Sequence, residues 1–301
     1  MSLSRGFYYR PRVNYFVNFS SQFIYTILKI PKISKFMALK KAFLLPHCPL
    51  LIPEIGRANF NFLEKTSAVY QEISDVLKKM AIETLIIISP HGLNQNDSFT
   101  LNVAPEMKVN LKDFGFMPQA ITLTGDALLA DQINQTLKNT ASLQLISQAE
   151  LDHGSAIPAY LFKNLGNDFK LIVISPADHL NLAEHFDFGR KLQAALTESD
   201  KKIAVLASGD LSHRLKRKSP AGYSPKGAKF DNKLIEYLSE PETAAINILK
   251  MDPKLIKEAS ECGLKPIMIL LGILNGLAPT AKVLAYQTDF GIGYLSLDFQ
   301  L

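Results

Sequence analysis

The chain has 301 residues, 47% hydrophobic and 20% charged, with 16 Gly, 16 Pro, two Cys and no Trp. Those proportions exclude a disordered, collagen-like or disulfide-stapled chain, and a fold of this length buries about three quarters of its unfolded surface. Bases outnumber acids, 33 to 28, only because residues 1–53 carry eight bases before the first acid, Glu54. The rest is slightly acidic, so a pI near 9.0 does not signal a nucleic-acid-binding face. Cys48 and Cys262 could form one disulfide at most, and nothing marks a secreted protein; free thiols and a cytoplasmic location are expected.

Residues 1–36 mix Arg, Tyr, Phe, Asn and Ser without clean periodicity and read as an N-terminal extension. An over-long start with Met37 as the true initiator is the preferred account, against a leader peptide or a basic membrane-surface arm. No apolar run reaches spanning length. From Met37 short apolar runs alternate with helical patterns, and residues 37–301 form one α/β domain. In chain order the expected elements are a strand at Ala42–Leu45, a helix at Phe60–Met80, and strands at Thr84–Ser89, Ser98–Val103 and Gln119–Thr124. A helix at Gly125–Leu137, a strand at Leu143–Ile146, a helix at Ala156–Leu165 and a strand at Lys170–Ser175 follow. Then come a helix at Leu182–Leu196, a strand at Lys202–Ala207 and helices at Ala228–Leu238, Thr243–Lys250 and Pro266–Leu274. Strands at Lys282–Tyr286 and Ile292–Leu297 close the chain. The expected fold is a mixed central sheet with helices on both faces.

Polar residues gather where those strands end. His47 follows the first strand in FLLPHCPLLIPEIG, and His91 follows four aliphatic residues in TLIIISPHG. Ligands of open α/β sheets collect at the carboxyl ends of strands, so two imidazoles leaving there are candidates for one site. VLASGDLSHRL places Asp210 and His213 at a third junction, LDHG places Asp152 and His153 at a fourth, and ASECGLKP places Glu261 and Cys262 before an apolar helix. His179 and His185 read as cap or surface residues of the following helix. Two His and a carboxylate make the triad that holds non-heme Fe(II) with open positions, which His47, His91 and Glu261 would supply. A Zn site using Cys262 draws on the same residues. Cys48 points away from its neighbour His47 on an extended chain and is the weaker donor. No CxxC, HExxH, GxSxG, P-loop or GxGxxG occurs.

From about Lys41 to Leu297 the sequence resembles the class III extradiol ring-cleavage dioxygenases, the superfamily that contains the catalytic chain of protocatechuate 4,5-dioxygenase and also the Memo-like proteins. PHCPLLIPEIG, ETLIIISPHG, LDHGSAIPAYLF, ASGDLSHRL with AGYSPKGAKFD, ECGLKPIMILLGIL and FGIGYL carry the resemblance. It is nearest to a bacterial branch in which the domain stands alone or is fused to an AMMECR1-type domain. The resemblance implies Fe(II) held by His47, His91 and Glu261, with His213 as acid–base and His153 lining the substrate and oxygen pocket. It also implies a catecholic substrate that meets O2 at the iron and is opened beside the diol.

Asp210, three residues before His213, is expected to orient that imidazole, and Tyr223 and Lys226 to contact a substrate carboxylate or phenol. Memo-like proteins carry a cysteine where the dioxygenases carry the carboxylate, and this chain has Glu261 and Cys262 side by side. With Cys262 as ligand, Zn or Cu and a redox or protein-interaction role without ring cleavage come into play. A homo-oligomer or an AMMECR1-type partner is also compatible with the sequence.

Overall fold

The computed structural model describes residues 38–117, 121–166 and 169–301. The expected extension at 1–36 lies outside them. The main strands are β1 (Leu39–Leu45), β2 (Thr84–Ile88), β3 (Phe99–Asn102), β6 (Leu143–Ile146), β7 (Lys170–Ser175), β8 (Ile203–Ser208), β9 (Thr280–Gln287) and β10 (Tyr294–Gln300). All eight form one mixed sheet in the order β6-β3-β7-β2-β8-β1-β10-β9, and the short β4 (Glu106–Lys108) and β5 (Thr122–Thr124) pair separately. The four central strands β7, β2, β8 and β1 are parallel, with β10 antiparallel to β1 and β3 antiparallel to β7. Strands covered on both faces need apolar side chains at successive positions rather than alternation, and β2 (TLIII) and β8 (IAVLAS) are buried along their whole length.

Among the described residues the helices longer than one turn are α1 (Glu64–Lys79), α2 (Ala127–Leu137), α3 (His153–Leu161), α4 (Leu182–Thr197), α5 (Pro225–Leu238), α6 (Pro241–Leu249), α7 (Pro253–Ala259) and α8 (Leu264–Ile273). One face of the sheet presents Phe43, Leu45, Leu85, Ile87, Val173 and Leu206 to Val69, Tyr70, Ile73 and Leu77 of α1 and to the apolar side of α3. On the other face α4 and α8 pack together, and α8 lies on β8.

Several helix starts are fixed by caps. The Asp126 carboxylate accepts from the Leu129 N–H, and Asn181 and Glu184 form a reciprocal capping box at α4. The expected helix at Phe60–Met80 opens instead with tight turns over Arg57–Leu63 before α1 begins. The helix expected from Ala156 starts three residues earlier, and the one expected from Ala228 starts at Pro225, whose fixed φ suits the first helical position after the Ser224 cap. Helix α7 is an addition to the expected elements; seven residues with an Asp-Pro start give too short a period to read. The strand expected at Gln119–Thr124 is β5, and its first expected residues lie outside the described ones. Its partner β4 is likewise an addition, with only Met107 buried.

Candidate metal centre

His47 leaves the carboxyl end of β1 and His91 that of β2, with β8 between them. Their Nε2 atoms meet at 3.2 Å. His153, the first residue of α3, stacks on His91 at 4.1 Å between ring centroids and stands edge-on to His47 at 5.4 Å. One nitrogen from each ring lies within 4.8 Å of the others, a group able to hold a metal ion. Burial, followed by the field of His153, lowers the His47 pKa to about 3; burial, followed by the field of His47, does the same to His91. Both rings are therefore neutral at physiological pH, the form that binds a cation.

The His47 tautomer follows from the backbone of α3. Gly154 would normally accept from the N–H four residues on, but that residue is Pro158, which has none. The Ser208 hydroxyl donates to the Gly154 carbonyl instead, at 2.6 Å. With its hydrogen so used, Ser208 Oγ can only accept from His47 Nδ1, 2.9 Å away. His47 thus carries hydrogen on Nδ1 and turns a bare Nε2 lone pair toward His91. Two ring nitrogens 3.2 Å apart need a proton or a cation between them, and the bare His47 nitrogen beside two further imidazoles fits a divalent ion.

Asp152 caps α3 and braces the second histidine. Its Oδ1 accepts from the Ser155 N–H and from the Ser89 hydroxyl at 2.5 Å, and Ser89 Oγ accepts from the His91 N–H. A Cβ on Gly154 would stand 2.5 Å from that Ser89 hydroxyl and 3.2 Å from the His91 ring, so only glycine lets the helix start this close.

The Glu261–Cys262 pair divides. Cys262 Sγ lies 3.6 Å from His47 Nε2. Glu261 turns its carboxylate to the Leu264 N–H at 2.7 Å at the start of α8, outside the three-imidazole group. Burial raises the Glu261 pKa to about 7 and also raises that of the Cys262 thiol. Cys262 comes near because Gly209 and Gly263 touch: a Cβ on Gly209 would meet the Gly263 Cα at 2.5 Å. Cys48 points the other way and hydrogen-bonds to the Tyr294 hydroxyl. Both thiols are free.

The Asp210 carboxylate accepts from the His47 backbone N–H at 3.1 Å and lies 3.9 Å from His47 Nε2. Burial raises its pKa to about 6 and the field of His213 opposes that rise, while among the described residues it makes no hydrogen bond to the His213 ring. The field of His213 bears on both His47 and His91, and its Nδ1 is buried with no partner among the described residues. Asp231 instead anchors that segment by accepting from the Ser212 N–H and the Tyr286 hydroxyl. Tyr223 is 55% exposed, and Lys226 sits half-buried in the first turn of α5. Neither joins the histidine group. His185 is buried between the carbonyls of Asn181 and Ala177, and His179 lies on the surface beside Asp97.

Sequence reasoning placed Ser208 at the junction after a buried strand without giving it a role, and held Cys262 as the alternative to its acidic neighbour. It missed Phe114, whose ring stands 6.0 Å from His153 at 67°. It lies in the hairpin loop between β4 and β5, and after Gly115 in left-handed conformation Phe116 packs on Tyr160, two turns along the same helix. No spacing rule links those loop aromatics to the site; only the chain reversal at Gly115 does.

Residues 41–295 match the family described as the catalytic LigB subunit of aromatic ring-opening dioxygenase, and the chain belongs to that family of class III extradiol enzymes. Among curated relatives, Protein CA_C1420 of Clostridium acetobutylicum is 30% identical over 268 residues. That alignment takes in 86% of this chain but only 57% of the clostridial protein. The 3,4-dihydroxyphenylacetate 2,3-dioxygenase of Escherichia coli is 25% identical over 203 residues, covering 63% of this chain and 72% of that protein. The crystal structure of uncharacterized protein JW3007 from Escherichia coli K12 shares the fold, with a TM-score of 0.60 at 17% identity over 86% of this chain and 99% of that one. Among the described residues no helix is long and apolar enough to cross a membrane.

Proposed function

We propose that residues 37–301 are a cytoplasmic Fe(II)-dependent dioxygenase domain that opens a catecholic ring beside its two hydroxyls. The observation that carries this reading is the 3.2 Å approach of two neutral imidazole nitrogens at the carboxyl ends of parallel strands. His47 and His91 would hold the metal with a third protein donor. Cys262 and His153 are the near candidates; Glu261, which the resemblance assigns, would have to release the Leu264 N–H. Bound Fe(II) would supply Lewis acidity toward the catechol oxygens and one-electron chemistry with O2.

The chain's own residues supply the rest. His213, with its unpartnered buried Nδ1, takes the proton that a catechol hydroxyl must lose to bind as an anion, and returns it as the ring opens. Asp210 fixes the His47 backbone and sets negative charge beside that imidazole. Phe114, whose ring stands beside His153, is the aromatic we assign to packing against the substrate ring. Tyr223 and Lys226, in and after the loop that follows His213, are the groups we assign to a substrate carboxylate.

Protein purified and loaded with Fe(II) without air should consume O2 with 3,4-dihydroxyphenylacetate or another catechol and form a yellow product. His47→Ala should lose iron, and His213→Ala should keep iron but lose turnover. Failure of wild type to turn over any of a broad catechol panel would remove the enzymatic reading. The 3.6 Å separation of Cys262 Sγ and His47 Nε2 favours a second reading, a Memo-like Cu or Zn centre with a redox or protein-binding role and no ring cleavage. Copper or zinc retained through purification, with no O2 uptake after iron loading, would select it.

A further inference from the structure

A cleft of about 280 Å³ opens beside the one-turn helix Pro53–Gly56, between α1 and α3, and shares no residue with the histidine group. Its floor is aromatic and its rim is charged. Tyr70 and Tyr160, 3% and 6% exposed, make the floor with Leu51 and the half-buried Phe60. That floor is rigid: the Tyr70 hydroxyl donates to the Pro46 carbonyl, its ring packs on Phe162, and Tyr160 is held by Phe116. The rim carries Glu54 and Lys163, both exposed and of opposite charge. They form no ion pair. Lys163 lays its ammonium over the Tyr160 ring at 3.5 Å, and the Glu54 side chain meets no partner among the described residues.

Two opposite charges on one cleft that do not neutralise each other leave a field with a positive and a negative end over an apolar base. The volume lies just below that of sites for drug-sized ligands, which sets the size of the occupant. A preformed floor lowers the ordering cost of binding. We infer that this cleft is a second small-molecule site, for a free zwitterion of the α-amino-acid type with an aromatic side chain. Its carboxylate pairs with Lys163, its ammonium pairs with Glu54, and its ring lies against Phe60 beside Tyr70.

L-Phenylalanine and its two half-ligands, phenylacetate and phenethylamine, test this by calorimetric titration of the full chain. L-Phenylalanine should bind, and each half-ligand should bind at least about fivefold more weakly, the loss of one charge-assisted contact. Lys163→Met should weaken L-phenylalanine and phenylacetate by a similar factor and leave phenethylamine unchanged. Glu54→Gln should weaken L-phenylalanine and phenethylamine and spare phenylacetate. Both side chains are exposed, so the variants fold, and unchanged circular dichroism verifies it. No binding of L-phenylalanine by wild type up to about 10 mM, a limit near −3 kcal/mol, overturns the inference. So do half-ligands that match L-phenylalanine, or variants that fail to discriminate between them.

Discussion

Ser208→Ala tests the logic of the metal centre most directly. The hydroxyl it removes is fully buried and serves two groups at once, accepting from His47 Nδ1 and donating to the Gly154 carbonyl. Both are left unpaired in the interior at about 1–3 kcal/mol each, so the variant should lose roughly 2–6 kcal/mol of stability. At about 2–4 °C per kcal/mol for a domain of this size, the melting temperature should fall by about 4 °C or more. Metal affinity should fall by about 10- to 100-fold, because nothing then fixes which His47 nitrogen carries hydrogen. Thermal unfolding and Co(II) titration measure the two effects separately. Adding Pro158→Ala supplies the missing helical N–H to Gly154, so the double variant should regain about 1–3 kcal/mol while its metal affinity stays low. Wild-type Co(II) affinity in Ser208→Ala would refute the reasoning, as would recovery of affinity in the double variant.

Other outcomes follow from the same geometry. Cys262→Ser should abolish any thiolate-to-Co(II) absorption band and Glu261→Gln should preserve it; no such band in wild type, with Co(II) binding weakened by Glu261→Gln and not by Cys262→Ser, would return the ligand role to the carboxylate. Gly209→Ala drives a Cβ to 2.5 Å from the Gly263 Cα, so it should cost about 1–3 kcal/mol in chemical denaturation and weaken that band as Cys262 is displaced. Burial raises the Asp231 pKa from 3.8 to about 6, so between those values the folded state holds more protons than the unfolded one and this residue lowers stability as pH rises. Asp231→Asn should flatten that decline in urea titrations at stepped pH; an unchanged slope would contradict it. Phe114→Ala should weaken catechol binding about threefold to tenfold, the worth of one aromatic contact, with little change in metal affinity. Equal catechol affinity would show that Phe114 does not pack against the substrate ring.

The fold was readable because its central strands are long apolar runs and its helices carry clean periodicity, as in TLIIIS and IAVLAS. His47, His91 and His153 were readable because all three stand where a strand has just ended or a helix begins. What escaped depends on distance through space. Asp210 sits three residues before His213 yet turns its carboxylate to the His47 backbone, because β1 and β8 are adjacent and Leu45 is in register with Ser208. Glu261 was preferred to Cys262 on donor chemistry and on the family resemblance; that the free N–H groups at the start of α8 engage its carboxylate, as helix starts commonly do, is not visible in the order of residues. The Met107 strand gave no signal, since one apolar residue in three cannot show alternation.

Pro158 shapes this centre from five residues along the helix from His153. By withholding one hydrogen from a helix it engages a serine, and through the serine it settles which end of an imidazole is bare. Ordinary histidines in water exchange tautomers freely; this ring keeps a single electron-pair direction for as long as it stays neutral. Asp152 and Asp210 hold the backbone around this centre, but which His47 nitrogen is bare is set mechanically, by the rigidity of a peptide turn.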